Sequence, residues 1–292
     1  MVAAPFDYVS VSSYEEAVDA LVEHGEDAKL IAGGQSLVPM MNLRLVRPSV
    51  LVDLNAIGSG PPASDGRTLT LPGLTRHRRL LEDPLVGRHC PLLTEAARHV
   101  GNIRVRSRGT IGGSLAHGDP TSEIGASAVV LDAQVVVQGP AGSRRLPARE
   151  LFVSYLTTTL EPTEVITEVL LPAGHDREGW GFAEMVRRSS DLAIVAVAAR
   201  AELEHGADVV ASVEVALAGV SEKVLLVEDA HTTPLLGTTG GEDVLRPVGA
   251  SIADSLSPES DVHASGDYRR RLVDVLTRRA LGDALARARS DR

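Results

Sequence analysis

Two short glycine-containing stretches carry the chain's clearest chemical signal. One is Ala32-Gly33-Gly34-Gln35-Ser36-Leu37 and the other is Gly109-Thr110-Ile111-Gly112-Gly113-Ser114. Adjacent glycines permit positive φ and close backbone approach, because no Cβ intervenes. Consecutive backbone N–H groups then turn into one concavity that suits phosphate oxygens. The hydroxyls of Ser36, Thr110 and Ser114 add donors. Two such loops, face to face, would clasp a pyrophosphate from both sides, as a dinucleotide requires. A tight turn uses the same residues, and spacing alone does not decide between the two. Neither stretch is G-x-G-x-x-G or G-x-x-x-x-G-K-[ST], so a phosphate site here would not be the nicotinamide fingerprint or the P-loop.

Other groups are weaker candidates. His117 and Asp119 share a loop, but two residues are too few for a metal site. Ser114, His117 and Asp119 mimic a hydrolase triad only in composition, since Ser114 lies in no G-x-S-x-G elbow. Arg104, Arg106 and Arg108 alternate, so in a strand they share one face. They would form a solvated edge, neutralise phosphate or dock an acidic partner. Arg187 and Arg188 with Asp191 read as a local ion pair. No catalytic residue and no metal ligand is assigned.

Composition excludes several functions. The chain has 292 residues and a formal net charge of −10, which disfavours nucleic-acid binding. Hydrophobic residues make up 43% and aromatics 3%, so the cores are built of Val, Leu, Ile and Ala. Cys90 is the single cysteine, so this chain can ligate no iron–sulfur cluster and form no internal disulfide. It precedes Pro91 at a helix start and reads as a buried small apolar residue. The N-terminal residues show no secretory pattern, and no run of about 18 apolar residues occurs. A cytoplasmic location is expected, with peripheral contact to the inner membrane face as the one membrane association to consider.

The elements that must position the loops follow from periodicity. Ser13 and Glu16 form a capping-box pattern, and Ala17, Leu21 and Val22 recur at helical spacing to about residue 23. Residues 28–32 and 50–54 read as strands, and 37–45 as a short helix with Pro39 in its first turn. A strand at 68–71 and helices at 76–81 and 92–100 follow. Residues 101–120, with five glycines, read as irregular. A helix is expected at 123–131, and a hairpin at 133–137 and 144–146 around residues 138–142. A strand at 164–171 leads to a domain boundary within 172–181. Strands at 193–202 and 209–220 then form a second sheet, and residues 237–241 a surface turn. A helix at 268–288 places Leu272, Val275, Leu276, Leu281 and Leu285 on one face.

With the flanks included, the loops resemble a known family. Residues 30–39 (LIAGGQSLVP) and 106–117 (RSRGTIGGSLAH) look like the first and second FAD loops of the medium subunits of molybdenum hydroxylases. That family includes aerobic carbon monoxide dehydrogenase and the flavin domain of xanthine dehydrogenase. The similarity spans nearly the whole chain, and residues 154–157 (SYLT) lean toward the carbon monoxide dehydrogenase branch.

The resemblance implies an α+β fold: a two-subdomain, vanillyl-alcohol-oxidase-like FAD domain plus a small C-terminal α+β domain. The domains would be 1–175, with subdomains at about 1–60 and 61–175, and 176–292. Ile31, Ala32, Gly33, Gly34, Gln35, Ser36 and Leu37 would wrap the pyrophosphate, and Thr110, Gly112, Gly113 and Ser114 would complete the cradle. His117 and Glu123 would contact the ribityl or phosphate region, and Ile166 would pack near the ring or adenine. Many relatives have Asp where this chain has Glu123, and several have Lys where it has Glu184. A lysine could stabilise a reduced anionic ring and a carboxylate could not, so Glu184 is assigned no cofactor role.

As an oxidoreductase subunit, such a chain would take electrons from [2Fe–2S] clusters on a small partner. It would pass them to a quinone, NAD or oxygen. The primary substrate would react at a molybdenum cofactor in a large partner, within a dimer of heterotrimers. The residues themselves leave two other readings open: a stand-alone flavin oxidase or dehydrogenase, and a non-enzymatic dinucleotide-binding protein.

Overall fold

The computed structural model describes residues 2–290. Its first unit is β1 (Asp7–Ser10), α1 (Tyr14–His24), β2 (Ala28–Ile31), α2 (Leu37–Asn42) and β3 (Val50–Asp53). The strands form a parallel sheet in the order β1-β3-β2. Helix α1 packs on it through Ala17, Val18 and Leu21. Val22 does not join that face and is 54% exposed, because it lies about 100° around the helix from Leu21. Ser13 caps the helix, its Oγ accepting from Glu16 N at 3.1 Å. The Glu16 carboxylate closes the cap one residue early, accepting from Ser12 N at 2.7 Å.

The second unit opens with β4 (Ala63–Ser64) and β5 (Thr68–Pro72). Six helices follow: α3 (His77–Glu82), α4 (Pro84–His89), α5 (Pro91–His99), α6 (Ile103–Arg108), α7 (Ile111–His117) and α8 (Glu123–Val130). Next come β6 (Gln134–Gly139), β7 (Gly142–Pro147), α9 (Ala148–Leu151), β8 (Phe152–Ser154), β9 (Thr157–Thr158) and β10 (Val165–Pro172). The main sheet is antiparallel, in the order β4-β5-β10-β6-β7.

The stretch 101–120 is not irregular, since it holds α6 and α7. Asn102 caps α6 by accepting from Arg104 N and Val105 N. Thr110 caps α7 by accepting from Gly113 N, and Gly118 ends it in the left-handed region. Arg104, Arg106 and Arg108 therefore lie on a helix, where residues two apart point in nearly opposite directions, and not on one face of a strand.

The third unit is β11 (Glu178–Met185), β12 (Val195–Leu203), β13 (Val210–Ala218), β14 (Leu225–Leu226), α10 (Asp229–Thr232), α11 (Glu242–Asp254) and α12 (Gly266–Ser290). Strand β11 begins inside the stretch read as a boundary, so the connector between β10 and β11 is short. Helix α11 carries Pro247 in its interior, which hides it from a reading of helix formers. The sheet runs β11-β12-β13-β14 and is antiparallel.

Strand β12 is apolar along most of its length because both of its faces are covered. Val195, Val197, Ala199 and Leu203 face α11 and α12. Ala196 and Ala198 join the core of the second unit, where all eight residues of α8 are buried. Small side chains on that face let α8 lie close to the sheet. On α12, Leu272, Leu276, Leu281 and Leu285 are buried. Val275, expected on the same face, is 43% exposed.

Candidate dinucleotide site

The two glycine loops meet. A Cβ on Gly33 would overlap the carbonyl of Arg108 and lie 2.7 Å from Gly109 Cα. The first glycine is thus required by the other loop, before any ligand is considered. Gly34 has φ +70°, a conformation that other residues adopt at a cost. Gly112 packs the same way on Gly73, where a Cβ would stand 2.7 Å from the carbonyl oxygen.

Two side chains from elsewhere clamp the loops together. Asn55 Nδ2 donates to Ala32 O of the first loop at 2.9 Å. Arg76 donates to Asn55 Oδ1 at 2.5 Å, and its other terminal nitrogen donates to Arg108 O at the edge of the second loop. Asp53 anchors Asn55, accepting from its backbone N at 2.9 Å. Burial opposes ionisation of Asp53, yet hydrogen bonds from Tyr8 and Asn55 hold its carboxyl below the usual range. His77 supports the second loop from beneath. It is buried, and its Nε2 lies 3.0 Å from both Thr110 O and Ser114 Oγ. Burial lowers its pKa, which keeps the ring neutral.

The loops differ in what they leave free. Among the described residues, the N–H groups of Gly34, Gln35 and Ser36 donate to no protein acceptor. Of these residues, Gly34 and Gln35 line a cavity of 420 Å³, together with Ile31, Gly33, Val38 and Arg108. In the second loop, the backbone is largely engaged. Gly112 N donates to Gly73 O at 2.9 Å and Gly113 N to Thr110 Oγ1 at 3.1 Å. Thr110 and Gly112 are buried builders of the loop, while Gly113 is exposed and Ser114 half-buried.

The remaining candidates do not line this cavity. His117 is half-buried at the end of α7. Glu123 is 9% exposed at the start of α8. Burial first, and then the nearby charges of Glu184 and Asp119, push its carboxyl up to about 8. Ile166 is in the core of the second unit, next to Gly73. Leu37 opens α2. Sequence reasoning missed Asn55 and Arg76. Nothing in their local pattern marks them, because their partners are 21 to 32 residues away.

Unpaired amides beside Arg108 suit a diphosphate, so the first loop fits the group that the resemblance implies. The fold and the site define a flavoprotein of the α+β, two-loop type. Comparison with known proteins agrees. Residues 4–174 match the model of the FAD-binding domain in molybdopterin dehydrogenases. Residues 180–284 match that of the carbon monoxide dehydrogenase flavoprotein C-terminal domain.

The chain is 36% identical to subunit alpha of the 6-hydroxypseudooxynicotine dehydrogenase complex of Paenarthrobacter nicotinovorans, over 97% of this chain and 96% of that one. It is 37% identical to the nicotine 6-hydroxylase medium subunit of the same organism, over 96% and 97%. A solved carbon monoxide dehydrogenase chain from Hydrogenophaga pseudoflava superposes with a TM-score of 0.94 at 34% identity, covering 98% of this chain and 99% of that one. The chain belongs to the FAD-binding medium subunits of the molybdenum hydroxylases, and is an oxidoreductase subunit. Its relatives are subunits of multi-subunit complexes.

Proposed function

We propose that this chain is an electron relay. FAD held at the glycine loops takes electrons from [2Fe–2S] clusters of a small partner and delivers them to a quinone, NAD or oxygen. A flavin supplies the one step that needs both one-electron and two-electron exchange. The substrate is oxidised at a molybdenum cofactor in a large partner, and the assembly is a dimer of heterotrimers. Residues 1–175 form the FAD-binding domain and 176–292 the C-terminal domain.

The clamped pair of loops carries this reading. Gly33, Gly34, Gln35 and Ser36 present backbone donors, and Ile31, Ala32 and Leu37 shape the turn that presents them. Thr110, Gly112, Gly113 and Ser114 form the opposing wall, with His117, Glu123 and Ile166 toward the rest of the cofactor. Arg108 adds a positive charge next to the diphosphate. With one cysteine in the chain, thiolate-held clusters must be supplied by a partner.

The substrate is set by the large partner rather than by this chain. Residues 154–157 lean toward carbon monoxide dehydrogenase, whereas the relatives at 36% and 37% identity are named for nicotine derivatives.

Purification of the native complex, with an absorption spectrum and metal analysis, tests the reading. Flavin bands at about 450 nm together with molybdenum and iron are expected. A folded complex without FAD would overturn it. FAD without molybdenum or iron would point to a stand-alone oxidase.

A further inference from the structure

The second glycine loop has little backbone left to offer an anion. From Ile111 to Ser114 every backbone N–H is spent inside the protein. Ile111 N donates to Thr75 O at 3.0 Å and Gly112 N to Gly73 O at 2.9 Å. Gly113 N donates to Thr110 Oγ1 at 3.1 Å and Ser114 N to Thr110 O at 3.0 Å. Hydroxyl protons are what remain. Thr110 is 2% exposed, whereas Ser114 is half-buried beside the exposed Gly113. Ser114 is therefore the accessible donor of this loop.

His77, on α3, decides where that donor points. Its Nε2 lies 3.0 Å from Thr110 O and 3.0 Å from Ser114 Oγ. A carbonyl oxygen only accepts, so Nε2 carries the ring proton and Nδ1 is the bare nitrogen. The surroundings of Nδ1 agree. It is buried with no partner among the described residues, and an N–H there would be a donor with nothing to bond. Burial also keeps the ring neutral, so only one nitrogen is protonated.

Ser114 Oγ thus accepts from His77 and cannot donate to it. Nor does it bond back to Thr110 O, as serines within helices often do. That carbonyl already takes Ser114 N and His77 Nε2. The Ser114 hydroxyl proton is left for a ligand.

We propose that His77 is a positioning residue, which keeps the Ser114 hydroxyl as a donor to the diphosphate. This assignment rests on the FAD reading and deepens it. The two loops hold phosphate by different chemistry, the first through backbone amides and the second through one side-chain hydroxyl. Donation from Nε2 to Oγ polarises the O–H, which strengthens its bond to an anion.

Calorimetric titration of the stripped full chain with FAD tests this in His77→Gln, His77→Asn, Ser114→Ala and the double variant of the last two. A glutamine amide reaches the place of Nε2, and an asparagine amide only that of Nδ1. Ser114→Ala and His77→Asn are each expected to weaken FAD about tenfold, and His77→Gln to stay within about threefold of wild type. The double variant should stay within about threefold of the weaker single one, because both changes remove the same bond. Losses that multiply would make His77 a support independent of Ser114 and overturn the proposal. Full affinity in Ser114→Ala would also overturn it, as would a glutamine variant as weak as the asparagine one. Should His77→Asn not fold, a tenfold loss in His77→Gln, or none in Ser114→Ala, would still overturn it. A wild-type chain that binds no FAD would instead overturn the function proposed above, so the two failures are separable.

Discussion

The carbonyl of Arg108 occupies the place where a side chain at position 33 would go. Gly33 lies in the first loop and Arg108 ends α6 at the edge of the second, 75 residues apart in the chain, and their backbones approach closely. Any Cβ at Gly33 must push the loops apart. Gly33→Val is therefore expected to weaken FAD binding by at least tenfold, about 1.4 kcal/mol. Titration of the stripped chain with FAD measures it, and wild-type affinity in that variant would show that the contact can be relaxed without cost.

Arg76 holds the same junction from the side. Its guanidinium bridges Asn55 and Arg108 O, so Arg76→Ala leaves two acceptors and the Ala32 carbonyl's anchor without support. A loss of about 1–3 kcal/mol in FAD binding is expected. Arg76→Lys should recover little, because an ammonium lacks the planar fork that reaches both partners. Calorimetric titration of the three proteins decides the point: a lysine variant as good as wild type would mean that charge, not geometry, matters there.

Glu123 makes stability depend on pH. Its folded pKa, about 8, lies above the ordinary value of 4.5, so the native state holds a proton that the unfolded state releases. Stability should fall as pH rises through that window and level off above it. Glu123→Gln removes this slope. At about pH 9 the variant should be more stable than wild type by about 1–2 kcal/mol, and near pH 5 the two should converge. His99 contributes in the same direction. Its pKa is raised by the hydrogen bond that its ring donates to Glu184, so its stabilisation is present at low pH and fades as pH rises through the folded value. That share persists in Glu123→Gln. Urea unfolding across the range would show parallel curves for the two proteins if Glu123 were not responsible.

Cys90 should be silent in the folded chain. It is fully buried, and burial pushes its thiol up to about 12. A thiol-reactive disulfide reagent at neutral pH is expected to label it only under unfolding conditions. Fast stoichiometric labelling of the native chain would contradict its place in the core.

Much of the fold was legible in the chain itself. Strands β2, β3 and β10 and the helices α1, α5, α8 and α12 follow from hydrophobic periodicity and caps, within a residue or two. Failures occurred where local pattern competes with context. The glycines of 101–120 masked α6 and α7, whose starts depend on single capping side chains, Asn102 and Thr110. Periodicity also placed Val22 and Val275 inside, although each lies just beyond the stripe that packing covers.

The candidate site divides in the same way. The paired glycines, their hydroxyl neighbours and the flanks that resemble flavoprotein loops are properties of the sequence alone. So is the single cysteine, which sends the iron–sulfur chemistry to another chain. The tertiary structure decided why Gly33 and Gly112 must be glycines, since the reason is a backbone from elsewhere in the fold. It also brought Asn55 and Arg76 to the loops, and paired Glu184 with His99 across 85 residues of chain. Contacts of that kind depend on how sheets and helices pack, and no spacing along the chain encodes them.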